Sequence, residues 1–171
     1  IILRYFNVAG ADQNLRCGFN INKGYNLILN LCRSVNQKKK FTINGNNYKT
    51  KDGTTIRDFI HVMDLSEAHI CALNYLSETN NSHLILNIGT GKGTSVLELI
   101  NIFQEINKVK ISYRFASRRD GDVGIVFANT NLSQKLLGWT AKRSVSQMCK
   151  DGWKWSQNNP SGFKREKNLS I

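Results

Sequence analysis

The clearest local pattern in the chain is an alternation of apolar and polar residues over residues 55–62, which has the period of a strand. The Asp-Gly dipeptide at 52–53 favours a tight turn, so we predict a hairpin whose first strand lies at residues 41–44. Asp64 follows, with Glu67 three residues later. This spacing predicts a capping box at the start of an apolar helix.

Other segments show helical or extended patterns of the same kind. Apolar residues at helical spacing predict helices at residues 25–35, 65–76, 96–106, 130–137 and from 145 onward. Ser95 with Glu98, and Ser144, are expected to cap the starts of two of them, and Gly138 to end another. Apolar runs predict further strands at residues 1–6 and 84–88, and an alternating pattern predicts one at 109–115. The mixture of strands and helices predicts an α/β fold.

The first strand offers a place for a ligand. Residues 1–6 form a continuous apolar run, as in an inner strand of a parallel sheet. Ligands gather at the carboxyl ends of such strands, where Tyr5, Phe6 and Asn7 lie. Core aromatic residues followed by an asparagine turn would explain the same pattern, and the pattern alone does not decide between the two interpretations.

Three arginines are candidates for anion binding. Arg57 lies on a predicted strand beside short acidic and hydroxyl residues, and Arg118 and Arg119 precede Asp122 in a polar loop. Guanidinium groups bind phosphates well, and a nearby carboxylate can accept a hydrogen bond from a sugar hydroxyl. The alternative is ordinary exposed charge, which spacing alone favours.

Two other patterns predict no site. The glycine loop at residues 89–93 reads G-x-G-x-G, which is neither the dinucleotide fingerprint nor a phosphate-binding loop, so we predict that it does not cradle phosphate. His61, His69 and His83 have no partners at metal-ligand spacing, so we predict no metal site. His69 falls on the apolar face of its helix, where we expect it to be packed and hydrogen-bonded.

Composition sets broad limits. The chain has 171 residues, the size of one domain, and its net charge of +12 suits either an anionic partner or a solvated surface. No apolar run reaches the ~18 residues of a membrane span and no signal pattern is visible, so we expect a cytoplasmic protein with no membrane partner. The four cysteines form no C-x-x-C pair and are interpreted as reduced thiols. The chain begins without methionine inside a predicted strand, which suggests a fragment.

Five motifs, in order along the chain, resemble the carboxyl-terminal half of the UDP-glucose 4-epimerase family of extended short-chain dehydrogenase/reductases. They are LRYFNVAGAD (3–12), NGNNYKTKDGTTIRDFIHVMDLSEAH (44–69), NIGTGKGTSV (87–96), ASRRDGD (116–122) and DGWKWSQNNPSGF (151–163). The D-G-T turn at residues 52–54 is the most specific feature, since related sugar-nucleotide dehydratases and decarboxylases generally lack it.

The resemblance implies a Rossmann-type fold in two parts. Residues 1–10 and 62–90 would belong to an NAD-binding sheet that is incomplete here. Residues 11–61 and 91–163 would form a small UDP-sugar-binding domain, followed by a polar tail at 164–171. It also implies NAD, bound mainly by an amino-terminal half outside this chain, and a 4-keto sugar intermediate. The full-length protein would be a homodimer acting on UDP-hexoses in galactose metabolism, with no nucleic-acid partner.

The resemblance also implies roles for individual residues. Tyr5 would lie beside the nicotinamide, and Asn7 would reach the substrate phosphate. The remaining matched positions would bind the rest of the UDP group: Asn26 and Leu27 the diphosphate, Thr42 and Asn44 the uracil through their backbone, Arg57 and Arg119 the pyrophosphate, and Asp122 the ribose. No Tyr-x-x-x-Lys pair occurs in the chain, so we expect no catalytic residue within it.

Some positions depart from the family pattern. Phe19 stands in place of the glutamate of an I-G-E turn, the sequence at residues 26–29 lacks the family's proline, and Asn44 replaces a residue that is often aromatic. At Val126 the family sets the size of the pocket near the sugar C2 group. A small side chain there predicts that UDP-N-acetylhexosamines are admitted as well as UDP-hexoses.

Two other functions stay open at this point. One is a sibling NAD enzyme, an epimerase or decarboxylase, that acts on another UDP-sugar. The other is a non-catalytic basic module that binds nucleotides or nucleic acid, which the charge of +12 favours. On the epimerase interpretation the isolated chain would be inactive, and its unpaired strand edges would make it marginally stable.

Overall fold

A computed structural model describes residues 1–20, 26–79 and 83–162, so the predicted tail at 164–171 lies outside the described residues. The helices are α1 (Leu27–Asn36), α2 (Val62–Glu78), α3 (Val96–Asn107), α4 (Asn131–Leu137) and α5 (Val145–Asn158). The strands are β1 (Ile2–Tyr5), β2 (Asn7–Ala9), β3 (Phe41–Asn44), β4 (Ile56–Arg57), β5 (Phe59–His61), β6 (Ile85–Ile88), β7 (Thr94–Ser95), β8 (Tyr113–Ala116) and β9 (Ile125–Val126).

Most strand pairs in the described residues are parallel. β1 pairs with β6, β2 with β5 and β3 with β8, in each case with helices in the intervening chain. β4 lies between β7, which is antiparallel to it, and β9, which is parallel. Parallel pairs connected through helices are the architecture of an α/β protein, as the sequence predicts.

The predicted hairpin does not form, because β3 pairs with β8 and not with β4. The segment between β3 and β4 is a loop tied to α3 through Asp52. That carboxylate accepts hydrogen bonds from the N–H and hydroxyl of Thr54, at 2.9 and 2.7 Å, and from the hydroxyl of Ser95. Gly53 has a φ of +77° and a side chain there would collide with the Asn46 carbonyl, so only glycine fits. The Asp-Gly turn is present, but it anchors a helix.

The predicted strand at residues 55–62 is interrupted at Asp58. β4 precedes this residue and β5 follows it, and the two belong to different sheets. Asp58 and the three residues of β5 are all buried, so the alternation does not separate a core face from a solvent face. Val62 already belongs to α2.

Helix α2 begins earlier than predicted, because His61 and not Asp64 is its N-cap. The His61 Nδ1 accepts the Met63 N–H at 3.1 Å. The buried Asp64 carboxylate accepts the backbone N–H groups of Lys142 and Arg143, at 3.2 and 2.9 Å, and the Arg143 guanidinium at 2.5 Å. Sequence spacing does not distinguish a carboxylate that caps a helix from a first-turn carboxylate that hydrogen-bonds to a distant segment of the chain.

The other predicted helix ends are confirmed. Ser95 and Glu98 form a complete capping box at α3, and the Ser144 hydroxyl accepts the Gln147 N–H at the start of α5. Gly138 ends α4 in the left-handed conformation, with a φ of +59°. These signals depend on residues within one turn of each other, which is why the sequence reveals them.

The described residues bury two apolar clusters. The first packs α1, α3 and α5 against β3 and includes the fully buried Phe103 and Met148. The second packs α2 and the segment after α4 against β1 and β6, and it includes Leu86 and Trp139. Trp139 falls within 91–163, the range assigned to the sugar-binding domain, yet it packs in the second cluster. The division into two domains stays a prediction.

Apolar side chains of β1 and α2 are exposed where burial was predicted. Ile2, Tyr5 and Leu73 are 60, 54 and 65% exposed. His69 is exposed too, although its Nδ1 lies 2.8 Å from the Leu65 carbonyl. The inner strand at 1–6 stays a prediction, since β1 pairs with β6 alone among the described residues, whereas His69 is hydrogen-bonded as expected but exposed rather than packed. Periodicity identifies an apolar face but not whether another element covers it.

His61 joins α2 to α5 through a buried contact. Its Nε2 lies 3.2 Å from Asp151 Oδ2, and the two side chains are 1 and 4% exposed. Since Nδ1 accepts the Met63 N–H, Nε2 carries the proton and donates to Asp151. Burial lowers the pKa of His61, while Asp151 opposes that shift; the charge of Arg143 lowers it further and that of Asp64 raises it.

We predict that mild acid destabilises the fold through His61. Because its folded pKa lies below the usual ~6.5, the unfolded chain binds more protons between the two values, and the free energy of unfolding falls as the pH drops below about 6.5. Denaturant unfolding at about pH 8 and about pH 5.5 measures the effect. His61→Asn should reduce this pH dependence, and His69→Asn at an exposed histidine should not. An unchanged dependence in H61N would contradict the assignment.

Candidate functional site

A cleft of about 520 Å³ opens between β2, the start of α1, β3 and the loop at residues 117–124, which we call the arginine loop. Its size falls in the ~300–1,000 Å³ range of small-molecule sites. Polar and charged lining residues are Asn7, Asn26, Asn30, Thr42, Asn44, Thr55, Arg57, Arg119 and Asp122. Aromatic lining residues are Phe6, Phe41 and Phe59. The lining combines apolar side chains with polar and charged groups, which suits a ligand that has a ring and an anionic part.

All eight residues that the resemblance assigns to UDP binding line this cleft. They are Asn7, Asn26, Leu27, Thr42, Asn44, Arg57, Arg119 and Asp122. Tyr5 and Val126 do not line it. Tyr5 is half exposed on β1 with its ring 6.4 Å from that of His69, and Val126 lies in β9, opposite Arg57 in register. The structure gives positions only, so the assigned roles stay predictions.

The amino terminus of α1 faces the cleft. Asn26 is its N-cap, with extended backbone and a side-chain oxygen that accepts the Leu29 N–H at 2.7 Å. Asn26, Leu27 and Ile28 all line the cleft. The first turn of a helix presents N–H groups without helical partners and a partial positive charge, which together favour an anion.

Arg57 is held in the cleft by three acceptors. Its Nη2 lies 2.6 Å from Asp122 Oδ1, and its Nη1 donates to the carbonyls of Ile56 and Gly124 at 2.8 and 3.4 Å. The Arg57 and Asp122 side chains are 20 and 26% exposed, so solvent still reaches both. A guanidinium has five N–H donors, which leaves donors available for a ligand.

Arg119 is held by Asn44. With the amide oriented so that its oxygen faces the arginine, Asn44 accepts from Nε at 3.2 Å and from Nη2 at 2.9 Å. The cleft therefore contains two guanidinium groups, one on β4 and one on the arginine loop, together with a helix amino terminus. This combination suits a ligand with two adjacent phosphates.

Asp58 follows Arg57 in the chain, and its sequence pattern does not identify it as a site residue. Its buried carboxylate accepts the N–H groups of Thr90, Gly91 and Ala128 at 2.9, 2.9 and 3.1 Å, and the Thr90 hydroxyl at 2.6 Å. A side chain at Gly89 would approach Asp58 Oδ2 to 2.6 Å. Thr90 and Gly91 of the glycine loop thus already donate their N–H groups to the Asp58 carboxylate, which argues against a phosphate cradle there.

The sequence profile of GDP-mannose 4,6 dehydratase matches residues 1–152 of this chain. The chain belongs to the GDP-mannose 4,6-dehydratase family. It is 43% identical over 166 residues to UDP-glucose 4-epimerase GEPI42 of Cyamopsis tetragonoloba, a match that covers 95% of this chain and 47% of the relative. The chain thus spans about half the length of the curated relatives it matches.

Solved structures of UDP-sugar 4-epimerases are similar to this chain. UDP-glucose-4-epimerase from Stenotrophomonas maltophila, with bound NAD and formylated UDP-arabinopyranose, has a TM-score of 0.87 at 39% identity and covers 91% of this chain and 47% of that chain. UDP-Glc/GlcNAc 4-epimerase from Campylobacter jejuni has a TM-score of 0.72 at 36% identity, with coverages of 92 and 48%. The similarity to carboxyl-terminal halves of epimerases and the α/β fold are confirmed.

The residues described for this member of the dehydratase family do not form an NAD cradle by themselves. The glycine loop donates its N–H groups to Asp58, and Tyr5, the one residue predicted to touch the cofactor, is half exposed at the end of β1. Any NAD would need groups beyond these residues.

Metal and thiol chemistry are not supported by the part of the chain that the structure describes. No group of three or more His, Cys, Asp or Glu side chains there could hold a metal ion. The four cysteines are free, and burial raises the pKa of Cys32 and Cys149 to about 12, which keeps both thiols protonated. None of the described helices is long and apolar enough to cross a membrane.

We predict that Asp58→Asn lowers the free energy of unfolding by about 2–4 kcal/mol, because an amide directs N–H donors at the three backbone N–H groups that the carboxylate accepts. Denaturant titration measures the loss. Asp120→Asn, the same substitution at an exposed position in the arginine loop, should change stability by less than about 0.5 kcal/mol. Equal effects of the two substitutions would show that Asp58 is not a central acceptor.

Proposed function

We propose that this chain is the UDP-sugar-binding part of a cytoplasmic, NAD-dependent UDP-glucose/UDP-galactose 4-epimerase. One observation carries the proposal: the eight positions that match the UDP-binding positions of the epimerase family, although far apart in sequence, line a single cleft. The similarity to UDP-glucose 4-epimerases, one of them with NAD and a UDP-sugar bound, supports it.

The cleft offers a complementary group for each part of UDP. The diphosphate would lie between Arg57, Arg119 and the amino terminus of α1, where three sources of positive potential meet. The ribose hydroxyls would donate to Asp122, and the uracil would contact the backbone of Thr42 and Asn44 on β3. Asn44 has no ring to stack on the uracil. Its amide oxygen instead accepts hydrogen bonds from Arg119.

In this proposal the chain binds and orients the substrate, while NAD and the catalytic base lie outside it. Epimerisation at C4 needs a hydride acceptor and a base, and the sequence contains no Tyr-x-x-x-Lys pair. Binding energy from the diphosphate would hold UDP in place while the sugar reacts elsewhere in the complete, homodimeric enzyme. The 171-residue chain alone would bind UDP but be inactive.

We predict that the chain binds UDP and that Arg57→Met and Arg119→Met each weaken this binding by a factor of about 30 or more, the equivalent of losing charged hydrogen bonds worth ~2–3 kcal/mol. Isothermal titration calorimetry measures the affinities. Arg4→Met removes the same charge from an exposed position on β1 and should leave the affinity within about twofold. Uridine lacks the diphosphate, so its weaker binding should be insensitive to all three substitutions.

A basic module for nucleic acid is the competing function, since the net charge is +12. Such a module would bind single-stranded oligonucleotides with an affinity that falls steeply with salt, and Arg4→Met would then weaken binding as much as Arg57→Met. That result, together with no detectable UDP binding, would overturn the epimerase proposal.

We further predict that the complete enzyme accepts UDP-N-acetylgalactosamine as well as UDP-galactose, because Val126, which lies beside Arg57 where β4 pairs with β9, is small. Val126→Tyr should lower the affinity for the N-acetylated sugar at least about tenfold more than that for UDP-galactose, a difference of ~1.4 kcal/mol. Val123→Tyr adds the same ring at an exposed position of the arginine loop and should leave the ratio unchanged. A ratio unaffected by V126Y would remove Val126 as a specificity position.

A further inference from the structure

Arg118 precedes Arg119 but does not line the cleft. Its guanidinium carbon lies 4.1 Å from the centroid of the Tyr48 ring, within the ~6 Å of a cation–π contact. Its Nε donates to Asn47 Oδ1 at 2.6 Å, and its Nη2 donates to the Asn47 carbonyl. One guanidinium thus makes a face contact with a ring and two edge contacts with a neighbouring residue, all on the loop between β3 and β4.

The Tyr48 ring is a well-supported surface for this contact. Tyr48 is 6% exposed, and its N–H donates to the Gly53 carbonyl at 3.0 Å, inside the loop that Asp52 ties to α3. Gly45 has a φ of +82°, and a side chain there would lie 2.5 Å from the tyrosine ring and 2.8 Å from Arg118 Cγ. Glycine therefore leaves the space through which Arg118 reaches the ring.

Gly124 ties the end of the arginine loop to β4, because its carbonyl accepts the Ile56 N–H at 2.8 Å and Arg57 Nη1 at 3.4 Å, but the described residues before it have few other ties to the fold. Residues 117–121 are exposed, and the turn bond from the Asp122 N–H to the Arg119 carbonyl lies within the loop. The side-chain contacts that the structure describes from the loop to other segments come from Arg118, Arg119 and Asp122. Arg119 and Asp122 are the groups that a bound nucleotide would engage. Arg118 is then the side chain that can hold the loop in place when a bound ligand contacts Arg119 and Asp122.

We propose that Arg118 is a positioning residue, which sets the place of Arg119 in the cleft by stacking on Tyr48 and bonding to Asn47. This rests on the proposed UDP site. The competing role for Arg118 is a general positive charge that attracts the diphosphate. Lysine separates the two roles, because it keeps the charge but lacks the planar, five-donor fork that stacks on a ring.

The test compares UDP binding by Arg118→Lys, Arg118→Met and wild type, by calorimetry on the 171-residue chain. Positioning predicts that both substitutions weaken UDP binding about tenfold and to a similar extent. Tyr48→Leu should weaken it equally, and Tyr48→Phe should not, since the buried Tyr48 hydroxyl has no partner among the described residues. Wild-type affinity in R118K together with a loss in R118M would establish the charge role and overturn the proposal.

A second comparison asks whether Arg118 acts through Arg119. In an Arg119→Met background, Arg118→Lys should cause little further loss of UDP affinity, because the residue it positions is gone. A further tenfold loss in the double variant would overturn the proposal. Arg4→Lys, at an exposed arginine outside the cleft, is the matched control and should bind like wild type.

Amide hydrogen exchange of residues 117–124 in the absence of ligand gives a readout that does not depend on UDP binding. Exchange in this loop should be faster in R118K and in Y48L than in wild type and Y48F, with α3 and α5 unchanged. Unchanged loop exchange in R118K would overturn the proposal. No UDP binding by wild type, with the expected exchange changes, would instead overturn the proposed function and leave the Arg118 contact established.

Discussion

The arrangement of the cleft depends on the buried carboxylate of Asp58. A buried charge is tolerated only where donors surround it, and here the donors come from the glycine loop and from the segment after β9. Asp58 also separates β4 from β5, so its hydrogen bonds fix the point where the chain passes between two sheets. Arg57 is the preceding residue and faces the cleft. The buried Asp58 carboxylate therefore fixes the backbone of the arginine that would bind the anionic part of a ligand.

The charged groups of the cleft are held by one another and by neighbouring polar side chains. Arg57 is paired with Asp122, and Arg119 is bonded to the Asn44 amide. Both pairs are partly exposed, so each contributes little to stability, and a ligand with two negative charges can displace solvent from the guanidinium groups without unfolding anything. These contacts restrict the two guanidinium groups within the cleft, which lowers the entropy lost when a ligand binds.

Local signals in the sequence predicted local structure well. The capping box of α3, the Ser144 cap and the Gly138 helix end each depend on residues one turn apart. The hairpin prediction was wrong because the partner of β3 lies some seventy residues away, beyond anything that an Asp-Gly turn specifies. Asp58 was missed although the sequence offers a clue to it. It is the charged residue on the side of the alternation that otherwise has Ile56, Ile60 and Val62, and a buried carboxylate there needs hydrogen-bond donors. The cleft residues came from family resemblance, since spacing alone gave no reason to bring Asn26, Thr42 and Asp122 together.

In the proposed function, the passage from β1 to β2 is where the cofactor and the substrate would come together. Tyr5 ends β1 on an exposed apolar surface, whereas Phe6 and Asn7, the next two residues, already line the cleft. Successive side chains of an extended chain point to opposite sides, so one short segment can face a cofactor on one side and a substrate on the other. If the proposed function holds, the reacting sugar would lie beside this segment, at the end of the cleft away from the uracil. The chain would then fix the distance between the bound UDP group and the hydride-carrying cofactor. A reaction in which the sugar moves while the nucleotide stays bound requires such a fixed distance.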